Sequence, residues 1–184
     1  LTIQETFILA VKNHQKGKID IAQELYNQVL KIDPNHLGAL NNLGVLFKKL
    51  GENHKAKTHY EKAIEIDPNN IDTHYNLGNV FKELENFQKA KDCYEKVIEI
   101  DPNNLKAHNN LGIIFQKLGK GQKAKDCLEK AIEINPNNAD AYNNLGNIFK
   151  SLGERQKAKD CYEKAITINP NYADAHNNLG IVFK

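Results

Sequence analysis

A short sequence, Asn-Asn-Leu-Gly, recurs along the chain at a fixed spacing. Four copies are identical, and a fifth begins with Tyr75 in place of the first Asn. The copies start at residues 41, 75, 109, 143 and 177, so successive copies lie 34 residues apart. A constant period of this length is typical of proteins built from stacked copies of one small structural unit. The sequence therefore predicts a repeat architecture.

Two kinds of break divide each repeat. Every full unit ends in Asp-Pro or Asn-Pro, and these motifs contain all 5 prolines. Proline cannot continue a helix, and it biases the preceding residue away from helical angles. A glycine marks the mid-unit break except in the third unit, where Glu85 replaces it and predicts a less relaxed turn. The units run 1–36, which is divergent, then 37–70, 71–104, 105–138 and 139–172, with a partial unit at 173–184.

Each unit contains two segments with the periodicity of amphipathic helices. In the fourth unit, His108, Leu111, Gly112 and Phe115 follow the spacing of one helix face. Helices of about 12–14 residues are marginal alone, so they must bury their apolar stripes on neighbours. Gly112 and Ala124 stand where the two helices of the unit must come close. The sequence therefore predicts an all-α fold of tandem antiparallel helix pairs, joined in a single array.

Composition restricts the possible partners and setting of the chain. With 40% hydrophobic residues, 26% charged residues and a net charge of +2, it is typical of a folded protein and not of one that binds nucleic acid or a membrane. No apolar run approaches the roughly 20 residues of a membrane span. The chain lacks Met even at its start, so we expect a fragment of a longer protein. Three cysteines at the repeat spacing predict reduced thiols in an intracellular, cytoplasmic protein.

At these residues the chain resembles the tetratricopeptide repeat (TPR) family. The family pattern of large, small, aromatic and proline positions is met in the second unit by Leu40, Leu43, Gly44, Phe47, Ala56, Tyr60, Ala63 and Pro68. Departures are few, such as Leu128 in place of an aromatic residue. The resemblance implies a right-handed α-solenoid of about five and a half TPR units, whose first helices line a concave groove. It also implies a scaffold that binds peptides or proteins.

The first helix of each unit carries asparagines on the face opposite its apolar stripe. Positions are counted from residues 3, 37, 71, 105, 139 and 173. Position six is Asn42, Asn76, Asn110, Asn144 and Asn178; position five includes Asn41, Asn109 and Asn143; position nine includes Asn79 and Asn147. Asn is a poor helix former, and a solvated face normally carries Glu, Lys or Gln. Because an Asn amide both donates and accepts, such a row predicts a surface that holds an extended peptide by its backbone.

This row resembles the asparagine ladder in the repeat domain of O-linked N-acetylglucosamine transferase and, by analogy, in armadillo-type importins. The resemblance implies backbone binding by the asparagines at position six. Lys48, Lys82 and Lys150 flank the row and favour an acidic ligand, although Asp72 and Asp140 dilute that preference. The alternative is that the asparagines hydrogen-bond between neighbouring first helices and only fix the superhelix. The two roles can coexist.

No catalytic constellation or cofactor motif appears in the sequence, so we expect a protein that is not an enzyme and needs no cofactor. Histidines at position four, and likewise the cysteines, lie about 10 Å apart in adjacent units, too far to share zinc or form a disulfide. The clamp by which related repeats hold a chaperone carboxylate needs Lys at position five, which is absent.

Two further functions stay open from the sequence. The repeats could present substrate to a catalytic part of a larger enzyme, such as a glycosyltransferase. They could also self-associate end to end through the last helix, where no following helix covers Leu179 and Phe183.

Overall fold

The computed structural model describes residues 1–182, and the regular structure of these residues is entirely helical. Helices of 13 and 14 residues alternate along the chain up to the last one. This confirms the predicted all-α class. The helices are α1 (Ile3–Gln15), α2 (Ile19–Ile32), α3 (Leu37–Lys49), α4 (Asn53–Ile66), α5 (Ile71–Glu83), α6 (Phe87–Ile100), α7 (Leu105–Lys117), α8 (Gly121–Ile134), α9 (Ala139–Ser151), α10 (Arg155–Ile168) and α11 (Ala173–Val182).

The turns within the repeats use a left-handed backbone conformation. The glycines at residues 17, 51, 119 and 153 have φ angles of 72°, 76°, 70° and 77°. Glycine adopts these angles without steric cost and so ends the first helix of a pair. Glu85 takes the same place in the third repeat with φ 55°. Its Cβ makes that conformation costly by about 1–2 kcal/mol, which confirms the predicted less relaxed turn.

The segments after the prolines start the next helix. Oδ1 of Asn70, Asn104 and Asn138 accepts a hydrogen bond from the backbone N–H three residues further on, at 3.0, 3.1 and 3.2 Å. These bonds satisfy amide groups that the first turn of a helix leaves without partners. The same short segment therefore ends one helix and caps the next.

The chain divides into two compact units, Leu1–Cys93 and Tyr94–Lys184, with the boundary inside α6. In the first unit, α1 packs on α2 and α3 packs on α4, while α1, α3 and α5 contact each other in order. In the second, α7 packs on α8 and α9 on α10, while α7, α9 and α11 contact each other in order. Each unit is therefore a stack of helix pairs whose first helices are neighbours. A single array over the whole chain stays a prediction.

A glycine of the first helix allows the second helix to approach closely. A Cβ atom added to Gly44 would lie 2.5 Å from the ring of Tyr60, and one added to Gly112 would lie 2.7 Å from Leu128. Both distances are shorter than real Cβ contacts, which confirms the predicted close packing at Gly112. Tyr60, Leu128 and Tyr162 are completely buried.

Candidate peptide-binding site

Asparagines of neighbouring first helices hydrogen-bond to each other in the second compact unit. Nδ2 of Asn144 on α9 donates to Oδ1 of Asn109 on α7 at 3.1 Å, and Nδ2 of Asn178 on α11 donates to Oδ1 of Asn143 on α9 at 3.1 Å. Position six of one repeat thus pairs with position five of the repeat before it. The helix-pairing role that the sequence left open is therefore present at these four residues.

One residue at position five, Asn143, is less accessible than the sequence pattern indicates. Asn143 exposes only 5% of its surface, whereas Asn144 and Asn109 are half-buried. Helical periodicity alone places position five opposite the apolar stripe, but Asn178 of α11 and the phenol of Tyr172 both hydrogen-bond to Asn143. A buried amide needs partners, and Asn178 supplies one of them.

The first compact unit uses these positions with a different partner. The Oγ1 hydroxyl of Thr73 on α5 lies 2.8 Å from Oδ1 of Asn41 on α3, within hydrogen-bond distance. Asn42 and Asn76, at position six, are half-buried on the same two helices, as is Asn79 at position nine of α5. Asn110, the first position-six residue of the second compact unit, is half-buried on α7.

Position nine lies beside the tyrosine of the second helix. The Tyr162 hydroxyl donates to Oδ1 of Asn147 at 2.9 Å. In the second repeat, position nine is Val45, and the Tyr60 hydroxyl is buried without a hydrogen-bond partner among the described residues. Asn147 therefore satisfies a buried hydroxyl, a role that the sequence pattern did not reveal. The sequence analysis matched Tyr60 only to an aromatic position of the family pattern.

The flanking lysines are partly buried and partly neutralised. Nζ of Lys48 lies 3.3 Å from Oε1 of Glu83, and both side chains are partly exposed. The pKa of Lys82 is lowered by burial and by the nearby charge of Lys48, with Glu83 opposing the shift. Lys150 is half-buried on α9. Their positive charge is therefore local and partly neutralised, and the preference for an acidic ligand stays a prediction.

The histidines at position four serve the loops. Nε2 of His74, His108 and His176 lies 2.9 Å from the carbonyl oxygen of the proline six residues earlier. Each ring thus ties its helix to the preceding turn. Among the described residues, no group of three or more His, Cys, Asp or Glu side chains is placed to hold a metal ion.

The cysteines are free thiols that burial keeps protonated. Burial, followed by nearby carboxylates, raises the pKa of Cys93 to about 12 and the pKa of Cys127 and Cys161 to about 11. A thiol reacts as its thiolate, so these groups are unreactive near neutral pH. They contribute packing rather than chemistry.

Two predicted residues, Phe183 and Lys184, lie outside the described residues. Lys184 continues the row of flanking lysines in the sequence, and Phe183 belongs to the predicted self-association surface. Both roles stay predictions. Within residues 1–182, no helix combines the length and apolar composition needed to cross a membrane.

Comparison with known families finds repeats along most of the chain. The family model described as tetratricopeptide repeat matches three consecutive segments. Two related models, described as TPR repeat and tetratricopeptide repeat, match on either side of them. The first model matches 71–104, 105–138 and 139–172, the second matches 13–51 and 46–85, and the third matches 161–184. No protein of curated function matches the chain by sequence.

Several solved structures are similar over nearly the whole chain. A crystal structure of MamA is 27% identical, with a TM-score of 0.85 over 93% of each chain. YrrB, described as a TPR protein with an unusual peptide-binding site, is 25% identical, with a TM-score of 0.84 over 94% of this chain and 89% of its own. A tetratricopeptide repeat protein from Parabacteroides merdae ATCC 43184 is 19% identical, with a TM-score of 0.90 over 98% of this chain and 72% of its own, and shows the fold alone.

Proposed function

The chain belongs to the tetratricopeptide repeat family, and we propose that it holds an extended peptide along the asparagine-bearing faces of its first helices. Its fold is an all-α solenoid of about five and a half repeats. Proteins of this family are interaction scaffolds that bind protein or peptide partners. The description of YrrB as having a peptide-binding site supports the same class of ligand. We further propose that residues 1–184 act as a single array.

This proposal depends on the hydrogen-bonding groups that Asn144, at position six, retains after it has paired with a neighbouring helix. Asn144 uses one N–H to reach Asn109, and its amide has a second N–H and an oxygen. A peptide group offers a matching C=O and N–H. Because Asn144 is half-buried, a ligand has access to it. Pairing between helices therefore leaves the chemistry for binding a backbone in place.

The same pairing also prepares the site for its ligand. A side chain that is already held in one orientation loses less conformational entropy when the ligand binds. Asn144 and Asn178 are both held by a neighbour in this way. Packed helices lie about 8–10 Å apart, and an extended chain advances about 3.3 Å per residue. Each asparagine at position six would therefore meet roughly every third residue of the ligand.

The test compares a variant that lacks amides at position six with one that lacks the same number of amides in the loops. The Asn76→Ala/Asn110→Ala/Asn144→Ala variant removes three position-six amides. A matched control removes three exposed loop asparagines, at residues 69, 103 and 137. Binding to unrelated 15-residue peptides is measured by fluorescence anisotropy, and circular dichroism checks folding.

We expect the unmodified protein and the loop control to bind alike, and the position-six variant to lose about tenfold or more in affinity for every peptide sequence. Loss across unrelated sequences is the mark of backbone recognition. If the position-six variant is folded and binds the peptides as tightly as the control, backbone binding is wrong and the asparagines serve only to pair helices. Substrate presentation within a larger enzyme, end-to-end self-association and a cytoplasmic location stay predictions.

A further inference from the structure

The charged residues of the second compact unit are segregated on two opposite edges. The turn edge consists of the segments that join the two helices of a repeat, 116–123 and 150–157, and it carries six basic residues and one acidic residue. The loop edge consists of the segments that join one repeat to the next, 95–106, 129–140 and 163–174, and it carries eight acidic residues and four basic ones. The two edges therefore have opposite net charge.

Each edge is a continuous surface rather than a set of separate segments. A Cβ atom added to Gly121 would lie 3.8 Å from Cδ2 of Leu152, so the two turns of the turn edge touch. On the loop edge, the hydroxyl of Tyr172 donates to Oδ1 of Asp140 at 2.7 Å, which joins the segment before α11 to the start of α9. The charges of successive repeats therefore add along each edge.

The length of the second helices keeps the two edges electrically separate. A helix of 14 residues, such as α8, is about 21 Å long, whereas charges at physiological salt are screened within about 8 Å. The edges of one molecule therefore neutralise each other little, and their charge is available to a partner.

The start of each second helix carries positive charge that helix stability does not favour. Neither α8 nor α10 has an acidic residue in its first turn or a basic residue in its last. Lys120 precedes α8 and Arg155 begins α10, and both side chains are exposed. A cation at this end of a helix costs about 0.3–1 kcal/mol, and Glu154, the one acidic residue of the turn edge, pairs with Lys157. Neither the helix nor an ion pair within the described part of the chain accounts for Lys120 and Arg155.

The other charges of the edges are partly used inside the chain. Lys123 of the turn edge lies over the ring of Phe115, at 5.7 Å from its centre. On the loop edge, Lys130 pairs with Glu133 at 3.0 Å. Pairing of this kind leaves an acidic excess on the loop edge, because its acidic residues outnumber its basic ones.

A second copy of the chain fits both edges at once. An acidic partner would account for the turn edge alone, and a basic partner for the loop edge alone. The first compact unit has the same arrangement: its turn edge carries seven basic and four acidic residues, and its loop edge carries five acidic and two basic residues. Its turn edge is formed by 14–21, 48–55 and 82–89, and its loop edge by 27–38 and 61–72.

We propose that the turn edge of one molecule binds the loop edge of a second copy, so that molecules associate side by side. Opposite charges attract across the contact, and Leu152, which is 52% exposed on the turn edge, becomes covered. Each bound molecule still has one free edge of each kind, so the assembly grows beyond two copies. This contact uses neither the apolar end of the last helix nor the asparagine-bearing faces.

Sedimentation velocity of residues 1–184 tests this association. Samples range from low micromolar to several hundred micromolar protein, in about 25 mM and about 500 mM NaCl, where charges are screened within about 20 Å and about 4 Å. We expect the average mass in low salt to rise with concentration above the 20.8 kDa of one chain, and to stay at that mass in high salt.

Two variants reverse the charge of one edge each. Glutamate precedes α4 and α10 at the place of Lys120, and Lys106 occupies the place of Asp174 in the fourth repeat, so the fold accepts both kinds of change. The turn-edge variant, whose edges are both acidic, is Lys117→Glu/Lys120→Glu/Arg155→Glu. The loop-edge variant, whose edges are both basic, is Glu99→Lys/Glu133→Lys/Asp174→Lys. All six residues are exposed.

The matched control changes net charge as the turn-edge variant does, but on the loop edge. It replaces three exposed lysines: Lys106→Glu/Lys130→Glu/Lys164→Glu. Circular dichroism checks that every variant is folded. In low salt we expect each edge variant alone to be monomeric, an equimolar mixture of the two to associate again, and the control to associate at least as strongly as the unmodified protein.

Three outcomes would overturn the proposal. The unmodified protein could stay monomeric in low salt at every concentration. The control could lose association together with the turn-edge variant, which would make net charge the cause. The mixture of edge variants could fail to associate. None of these results bears on peptide binding, which is measured separately on other residues.

Discussion

The asparagine side chain is short, planar and able both to donate and to accept, so its role depends on its place in the repeat. Just before a first helix, Asn104 caps the helix by accepting from a backbone N–H. At positions five and six, Asn143 and Asn178 join neighbouring first helices. At position nine, Asn147 accepts from a buried tyrosine. One residue type thus begins a helix, aligns it with the next and satisfies its core.

The glycine at position eight gives a prediction about a single residue. Gly44→Ala places a methyl group 2.5 Å from the ring of Tyr60, which is fully buried and cannot move aside. We expect the free energy of unfolding to fall by about 1–3 kcal/mol, the usual cost of overpacking. Urea denaturation followed by circular dichroism measures this change.

Gly180→Ala is the control for that substitution. It stands at the same position of α11, where a Cβ atom would meet nothing within 4 Å. Alanine favours helix over glycine by up to about 1 kcal/mol, so we expect this variant to be as stable as the parent or more so. Destabilisation of equal size in both variants would mean that contact with Tyr60 is not the reason for glycine.

At the scale of whole helices, the first and second helices of each pair present different surfaces. Second helices carry ion pairs within one helix, such as Lys125 with Glu129 at 3.6 Å and Lys130 with Glu133 at 3.0 Å. Exposed pairs of this kind stabilise a helix by only about 0.3–0.5 kcal/mol each. First helices instead present amides that contact the next first helix. The side-chain amides that hydrogen-bond between repeats are therefore on the first helices.

The turn between α5 and α6 gives a prediction at this scale. Glu85→Gly relieves a left-handed backbone angle of 55° that a side chain disfavours. The gain of about 1–2 kcal/mol is partly offset by the greater freedom of glycine in the unfolded chain. We expect a net rise of about 0.5–1 kcal/mol in the free energy of unfolding.

The reciprocal change tests the same reasoning. Gly119→Ala introduces a Cβ into the equivalent turn after α7, where φ is 70° and no atom lies within 4 Å of the new carbon. We expect it to lose about 1 kcal/mol through backbone strain alone. Opposite shifts of the thermal midpoint in the two variants support the account. A stabilising Gly119→Ala would contradict it.

Helices and turns were predictable because their signals are local. Proline and glycine mark the ends of each helix, and apolar spacing marks the face it buries. The partners of the polar residues were not predictable, because periodicity gives a direction around one helix but not the distance to the next. Asn143 was expected on an open face, yet it is buried, and Asn178 of α11 and Tyr172 hydrogen-bond to it. Tyr60 was matched only to an aromatic position of the family pattern, and that match does not reveal that its hydroxyl is buried without a partner among the described residues.

At the scale of the molecule, stability comes from many similar small interfaces. Within each compact unit a helix contacts neighbours one or two places along the chain. Stability in such arrays is close to a sum of repeat and interface terms. A residue type that recurs at one buried position therefore contributes to the free energy of unfolding once in each repeat. We expect its titration to change the stability of every repeat that carries it.

Alkaline pH tests this additivity, because the thiols and phenols buried in successive repeats titrate in that range. Burial raises the pKa of Cys93 to about 12, of Cys127 and Cys161 to about 11, and of Tyr26 and Tyr162 to about 12. The folded state therefore holds these protons more tightly than the unfolded chain, whose thiols titrate near 9.0 and phenols near 10.0. The stability that these raised pKa values contribute is fully present below pH 9.0 and is lost as pH rises towards 12.

We expect the thermal midpoint to stay level from about pH 7 to pH 8.5 and to fall steadily above about pH 9, because only the unfolded chain then releases these protons. Thermal unfolding followed by circular dichroism across this range measures the effect. A variant with all three cysteines replaced by alanine should keep its midpoint to about pH 10, where the tyrosines begin to titrate in the unfolded chain. If the thermal midpoints of the variant and the parent decline together from about pH 9, the thiols are not the source of the loss. Charge repulsion among lysines is not the source in either case, because lysine loses its charge as pH rises.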